Sequence, residues 1–260
     1  MLQTGRILQT IFLLATIVIY SYLLWLNKEK GFVPKIRKIA ALDAIEEAVG
    51  RAAEMGRPVH VSPGTPGAAE SIEANTIAGL AVTSYVSRLC ARNGVPVIAT
   101  ASRPELLPVL QEIVKQAYIV EGVEQAYIDE NVRFLSDNSN AYAGAVQGIV
   151  EREECAANII VGQLYGTANV LFGRATVAGK TLQIGGTAYY LVVPHLVVTC
   201  DYVLMGEEVF VAEAYLNQDP KQLITVFAQD IFKIISLGLL ILGIIMFSAG
   251  SNLVIDLLNM

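Results

Sequence analysis

The stretch PVHVSPGTPGAAESIEANTIAGLAVTSYVSRLCARNGVPVIATASRPE, Pro58 to Glu105, decides the fold. It opens on a short strand, Val59, His60 and Val61, and enters a loop of turn formers, Ser62-Pro63-Gly64-Thr65-Pro66-Gly67. A helix is predicted from Ser71 to Asn93, closed by Gly94, a residue suited to the left-handed position after a helix. A second strand, Val95 to Ala99, follows. Strand, glycine-containing loop, helix and strand make a βαβ unit, from which Rossmann-like parallel sheets are built. The helix is rich in small side chains, Ala74, Ala78, Gly79, Ala81, Thr83, Ser84 and Ser87. Small residues let another backbone come close, so the helix is expected to pack tightly on the sheet or against a second copy of itself.

The pattern repeats downstream. After Thr100-Ala101-Ser102-Arg103-Pro104-Glu105 a helix runs to about Val120; Ser102 and Glu105 have capping-box spacing, with Pro104 in the first turn. Strands are predicted at Val132–Leu135 and Asn158–Val161, each followed by a polar turn (Ser136-Asp137-Asn138-Ser139, Gly162-Gln163) and a helix, at about 141–154 and up to Gly173. Thr181–Ile184 reads as a strand ending in Gly185-Gly186-Thr187, with Ala175–Val177 as a pairing candidate, and His195–Thr199 reads as another strand after Pro194. A helix from about Gly206 to Asn217 closes the region. Upstream, Ile39, Leu42, Ile45, Val49, Ala52 and Met55 recur at helical spacing. Apolar strands alternating with helices predict an α/β domain over residues 39–218, a mostly parallel Rossmann-like sheet covered by helices.

Both flanks are apolar. Mean hydropathy is +0.52 and 54% of residues are hydrophobic, high for a wholly soluble chain. Ile7 to Leu26 carries no charged side chain and at about 1.5 Å per residue spans a hydrocarbon core of about 30 Å. Trp25, Tyr20 and Tyr22 suit an interfacial belt, and no small-residue cleavage site follows, so an uncleaved transmembrane helix over 7–27 is expected. Asp219-Pro220 starts a helix that Leu223, Phe227, Ile231 and Ile234 continue into a second apolar run, Ile234–Ala249, giving one helix through a second span within 219–258. Lys28, Lys30, Lys35, Arg37 and Lys38 form a basic juxtamembrane segment, 28–38, after the first span, and Lys221 and Lys233 precede the apolar run of the second. The positive-inside rule then makes the central domain cytoplasmic, with both termini outside the inner membrane.

From Ile39 to Asp230 eleven Lys and Arg face 22 Asp and Glu, a net of −11. Such a domain repels phosphate backbones, which argues against nucleic acid as a partner; the basic juxtamembrane segment fits lipid head groups. Cys90, Cys155 and Cys200 have no CxxC spacing, and His60 and His195 no HExxH spacing, so neither a metal nor a disulfide framework is expected.

Val61-Ser62-Pro63-Gly64-Thr65, Glu70-Ser71-Ile72-Glu73-Ala74, the run Val95–Leu107, Leu182-Gln183-Ile184-Gly185-Gly186-Thr187 and Cys200-Asp201-Tyr202 together carry a resemblance. Over residues 38–230 the chain resembles a family of bacterial membrane proteins known only as a domain of unknown function. The resemblance implies a membrane-anchored α/β domain and brings no activity, cofactor or catalytic residue.

Ligands of open parallel sheets bind beyond the carboxyl ends of the strands. Here those ends supply Ser62, Gly64, Thr65, Thr100, Ser102, Arg103, Gly185, Gly186 and Thr187, which with helix-start N–H groups suit a small anionic ligand. The competing reading makes these residues turn formers, with Ser102 a helix cap and Arg103 paired to Glu70 or Glu73. Nucleotide motifs are incomplete: no GxGxxG follows the first strand, and Gly173–Thr181 lacks the P-loop glycine at Ala178 and enters a strand, leaving only Lys180 as a phosphate ligand. A hydrolytic grouping of Ser62, His60 or His195, and Asp201 lacks a GxSxG elbow. Two readings stand. One is a non-enzymatic ligand-sensing or scaffolding module that self-associates as a homo-oligomer; the other is a membrane-tethered nucleotide-using or hydrolytic enzyme. No cofactor is indicated by either.

Overall fold

The computed structural model describes residues 7–34, 37–65, 74–166, 171–173 and 181–248. The helix start at Ser71, the Ala175–Val177 strand, Glu70, Glu73, Lys180 and the tail from 250 lie outside them. Within them the chain divides into two units, residues 38–217 and the two flanks together.

In the first unit, α2 (Ala40–Met55) leads into β1 (Val59–Gly64), α3 (Ala74–Asn93), β2 (Val97–Ala101) and α4 (Leu106–Val120). There follow β3 (Val132–Phe134), α5 (Ser139–Arg152), β4 (Ala157–Gln163), β5 (Leu182–Thr187), α6 (Val193–Thr199), β6 (Tyr202–Met205) and α7 (Glu208–Asn217). The six strands form one sheet in the order β3-β2-β1-β4-β5-β6, and every pairing is parallel. This is the doubly wound order of Rossmann folds, with its reversal between β1 and β4.

Alternation along the strands separates two cores. Val59, Val61, Val97, Ala99, Ile159, Val161 and Ile184 face one side, where α2, α3, α4 and α7 cover them with Leu42, Val82, Val86, Leu110 and Val209. Ile98 and Ile160 face the other, under Tyr142, Val146 and Ile149 of α5, Leu171, Phe172, and Leu196 of α6. Helix α2 buries Leu42, Ile45, Val49 and Ala52 as its spacing predicts, but Met55 at its end is exposed.

Several boundaries differ from expectation for local reasons. Ser62, Pro63 and Gly64 belong to β1 rather than to a loop, because β4 extends beside them: Ser62 pairs with Ile160 and, past a bulge, Gly64 with Gln163. β2 begins at Val97, since the Val95 N–H turns back to Cys90 O to close α3. Helix α5 starts two residues early because Asn138 Oδ1 accepts the N–H groups of Asn140 and Ala141. The Ser102–Glu105 capping box is not formed; α4 has no side-chain cap, and Ser102 Oγ donates to Gly64 O at 3.1 Å. His195–Thr199 is helical, not extended: Pro194 sits in the first turn, Leu196 is buried, and Val197 and Val198 are 57% and 81% exposed. The strand after it is instead β6, aligned on β5 by the Asp201 N–H to Gln183 O and the Gln183 N–H to Asp201 Oδ2.

The choice left open for α3 is resolved toward the sheet. A Cβ at Gly79 would lie 2.1 Å from Val161 O and 3.0 Å from Pro63 Cα, so α3 rests directly on the backbones of β1 and β4. Ala78, Thr83 and Ser87 are buried with it, so this small-residue face is occupied by the protein's own sheet.

In the other unit, α1 (Ile7–Lys30) packs against the start of α8 (Pro220–Ser248) through Leu23, Ile224 and Ala228. The Phe32 and Phe227 rings meet edge-on at 5.9 Å. Asp219 Oδ1 caps α8 by accepting the Lys221 N–H, and the helix then runs unbroken. Among the described residues, α8 is the one helix long and apolar enough to cross a membrane, with a mean hydropathy of 2.4.

Candidate functional site at the strand carboxyl ends

The reversal of strand order places the ends of β1 and β4 at the centre of the carboxyl edge. Gly64 has φ +93°, and a Cβ there would lie 2.2 Å from Gln163 O, so no other residue lets the two strand ends close up. The next N–H, of Thr65, donates to the same Gln163 O at 2.6 Å. Asn75, in the first turn of α3, donates from Nδ2 to Gln163 Oε1. At this junction and in the first turn of α3, Thr65 Oγ1, Asn75 Oδ1 and Thr76 Oγ1 are shielded from water and have no hydrogen-bond partner among the described residues. Buried polar atoms are ordinarily satisfied, so three unpartnered ones at a switch point mark a place that a ligand's polar groups would complete.

Ser62 and Thr100 point elsewhere. They belong to a hydrogen-bonded chain buried on the α5 side of the sheet. Gly64 N–H donates to Ser62 Oγ (3.1 Å); Ser62 Oγ lies 2.7 Å from Tyr142 Oη, which lies 2.7 Å from Thr100 Oγ1. Thr100 Oγ1 is 2.9 Å from His60 Nε2, and His60 Nδ1 is 2.7 Å from Asn158 Oδ1. Asn158 Nδ2 donates to Gln183 Oε1 at 2.8 Å and faces Leu171 O at 3.4 Å. A carbonyl only accepts, so Leu171 O fixes the Asn158 amide; Nδ1 of His60 then carries the proton, and the chain runs in one direction from Gly64 to Gln183. His60, Asn158 and Gln183 stand side by side in register across β1, β4 and β5. Burial pushes the His60 imidazole down to about 4 against the opposing Asn158 hydrogen bond, and pushes the Tyr142 phenol up to about 12. Both are neutral at pH 7.

The remaining candidates divide. Ser102 is buried on Gly64 O, beside the junction. Arg103, 19% exposed at its side chain, has Nε 4.0 Å from Glu105 Oε2 and lies at the end of β2. Gly185, Gly186 and Thr187 are one strand further off, because β4 separates β5 from β1. Their surroundings are packing groups: Cys200 Sγ and Leu196 against Gly185, Leu204 and Val161 against Gly186. Thr187 Oγ1 accepts the Tyr189 N–H.

A family model described as a domain of unknown function matches residues 1–258. The chain belongs to this family, DUF6754. Neither the curated proteins nor the solved structures contain a match.

In this DUF6754 chain the residues of the hydrolytic grouping do not come together. Both ring nitrogens of His60 are spent on Thr100 and Asn158, and Ser62 bonds to Tyr142, not to His60. His195 lies on α6, its Nδ1 buried without a partner among the described residues. Asp201 is turned to the Gln183 backbone. The serine, histidine and aspartate are therefore not joined. Among the described residues no three His, Cys, Asp or Glu side chains are grouped to hold a metal. Burial raises the thiols of Cys155 and Cys200 to about 12 and that of Cys90 further, so all three are protonated. Gln163 is placed by the sequence only within a strand-end loop, Gly162-Gln163, and Asn75 is not placed at the site at all. The only signal for them was the place of Gln163 at a strand end, since its partnership with Asn75 joins elements far apart in the chain.

Proposed function

We propose that the chain is a membrane-held, cytoplasmic ligand-sensing or scaffolding module whose occupant is a small anionic molecule seated at the β1–β4 junction. The observation that carries this is the set of buried oxygens without a partner among the described residues, Thr65 Oγ1, Asn75 Oδ1 and Thr76 Oγ1, beside the switch point of a 3-2-1-4-5-6 sheet. The Thr65 and Thr76 hydroxyls offer donors to an anion, the Asn75 amide oxygen accepts from a ligand hydroxyl or N–H, and Arg103 supplies positive charge at the neighbouring strand end. Anchoring by two spans, with α1 as the first and α8 as the second, fits the exposed apolar side chains of both helices, Leu13, Leu14, Ile17 and Val18 in one and Ile234, Leu240 and Ile244 in the other. The basic residues after α1 support a cytoplasmic domain with both termini outside the inner membrane. Self-association remains part of the reading, through surfaces other than the small-residue face of α3.

The test uses the full chain in nanodiscs, with inorganic phosphate, ATP and NAD as probes in thermal-shift and calorimetric titrations. Saturable binding of one probe, weakened about tenfold or more by Thr65→Val and by Arg103→Ala, is expected. No binding at millimolar probe, or binding indifferent to both substitutions, overturns the site. Turnover of a bound probe would replace the sensor reading by the enzymatic one. Mass measurement of the detergent-solubilised chain tests self-association, and a protease-accessible domain in inside-out vesicles tests orientation.

A further inference from the structure

On the opposite face of the sheet from the buried polar chain, α2, α3 and α7 enclose a groove of about 270 Å³. Its walls are Glu46, Tyr85, Arg88, Arg92 and Asn217, with Leu89 and Leu216 as the apolar part. In a domain with twice as many acidic as basic residues, two guanidinium groups stand one helical turn apart on α3 and share this one concavity. Their charges repel unless an anion lies between them.

The protein supplies one anion and divides it unevenly. Glu121, at the end of α4, takes Arg92 in a two-point pair, Nε to Oε2 at 3.0 Å and Nη2 to Oε1 at 3.1 Å. Its hydrogen bonds with Arg92 hold the Glu121 carboxyl below its ordinary range and raise the Arg92 guanidinium. Arg88 receives less: its Nε is 3.5 Å from Glu121 Oε1, makes no hydrogen bond and is shielded from water. The carboxylate in the groove wall, Glu46, is occupied by the Tyr85 hydroxyl, which donates to it at 2.7 Å, and the Asn217 amide adds a neutral donor to the wall.

We propose that this groove is a second, independent binding site for a small oxyanion, a phosphate or carboxylate carried on a compact organic group. The Nη groups of Arg88 form a planar fork that matches two oxygens of such an anion, as Arg92 already demonstrates on Glu121. The remaining Arg92 Nη1 and the Asn217 amide flank it, and Leu89 and Leu216 cover the ligand's apolar part. A volume a little under that of drug-sized pockets limits the guest to a small metabolite or a lipid head group. The site lies toward the amino ends of the strands, where α3 and α4 finish, whereas the proposed switch-point site is at their carboxyl ends.

The experiment is a titration of the full chain in neutral-lipid nanodiscs with inorganic phosphate, pyrophosphate and citrate, read by calorimetry and thermal shift. Arg88→Gln is the informative variant, because Arg88 meets Glu121 at 3.5 Å while Arg92 keeps its own two-point pair with that carboxylate. Binding in the wild type that Arg88→Gln weakens about tenfold or more, and that Arg103→Ala leaves unchanged, is the expected result. Repeating the titration with phosphatidic acid in the nanodiscs separates the sources: competition by the lipid assigns a head group, and its absence assigns a soluble metabolite. Binding of none of the probes, or binding equal in Arg88→Gln and wild type, overturns the proposal. Loss with Arg103→Ala alone would assign the anion to the switch point instead.

Discussion

Acidification is a direct probe of the buried chain through His60. In the folded protein the imidazole is fully enclosed, donates to Asn158 and accepts from Thr100, and burial holds its pKa at about 4 against 6.5 for a free side chain. Protonation would put a second N–H against the Thr100 hydroxyl and bury a positive charge with no carboxylate hydrogen-bonded to it. Between pH 6.5 and about 4 the unfolded chain therefore binds a proton that the folded chain refuses. Stability is whole above the upper limit, falls as the pH drops through this window, and levels off below the lower limit once both states are protonated. The gap corresponds to about 3 kcal/mol from this one residue. Carboxylates titrate over part of the same range, so the measurement is a difference. Urea unfolding of the full chain in detergent, followed by far-ultraviolet circular dichroism at pH 7, 5.5 and 4, is compared with His60→Gln. Gln keeps a donor and an acceptor but does not titrate. The wild type's advantage over the variant should shrink by about 3 kcal/mol between pH 7 and pH 4. An advantage that stays constant with pH would refute the assignment of a neutral, buried His60.

Tyr142→Phe keeps the ring in its core position but removes the hydroxyl that links Ser62 to Thr100, and should cost about 1–3 kcal/mol in the same unfolding assay at pH 7. Gly79→Ala drives a methyl group against the Val161 carbonyl and should cost about 3 kcal/mol or prevent folding, whereas Gly50→Ala, with open space around it in α2, should stabilise by about 0.5–1 kcal/mol. Leu240→Arg places a charge in the apolar length of α8, and a penalty of about 3 kcal/mol for insertion should reduce the membrane-bound fraction on cell fractionation.

The sheet was legible because its strands are apolar runs of four or five residues between glycine- or polar-ended turns, and the order of β1, α3 and β2 followed from the Pro58–Glu105 unit. The segment from Pro194 to Met205 was not. Val193-Pro194-His195-Leu196-Val197-Val198 is rich in β-branched residues, and propensity favours a strand; packing overrules it, since only Leu196 finds a place in the core and the two valines after it face out. The edge strand β6 has only four residues and one fully buried side chain, too little for a pattern. The candidate site was half legible. Strand ends could be named, but not their neighbours, and the separation of Gly185–Thr187 from Thr65 by β4 required the strand order. The buried chain left a trace that went unread: His60, Thr100, Asn158 and Gln183 are each a polar residue at the same alternating phase of an otherwise apolar strand. Only their register across the sheet shows that they meet.

The strand order also sets a timetable for the growing chain. β1, β2 and β3 leave the ribosome first and assemble to one side, so β1 shows an unpaired edge until Ala157–Gln163 has been made. Helix α3, seated on both β1 and β4, lacks half its footing through the same interval. Until β4 is in place, the open edge of one nascent chain can join its counterpart on the next, at the stage when such edges are most prone to pair.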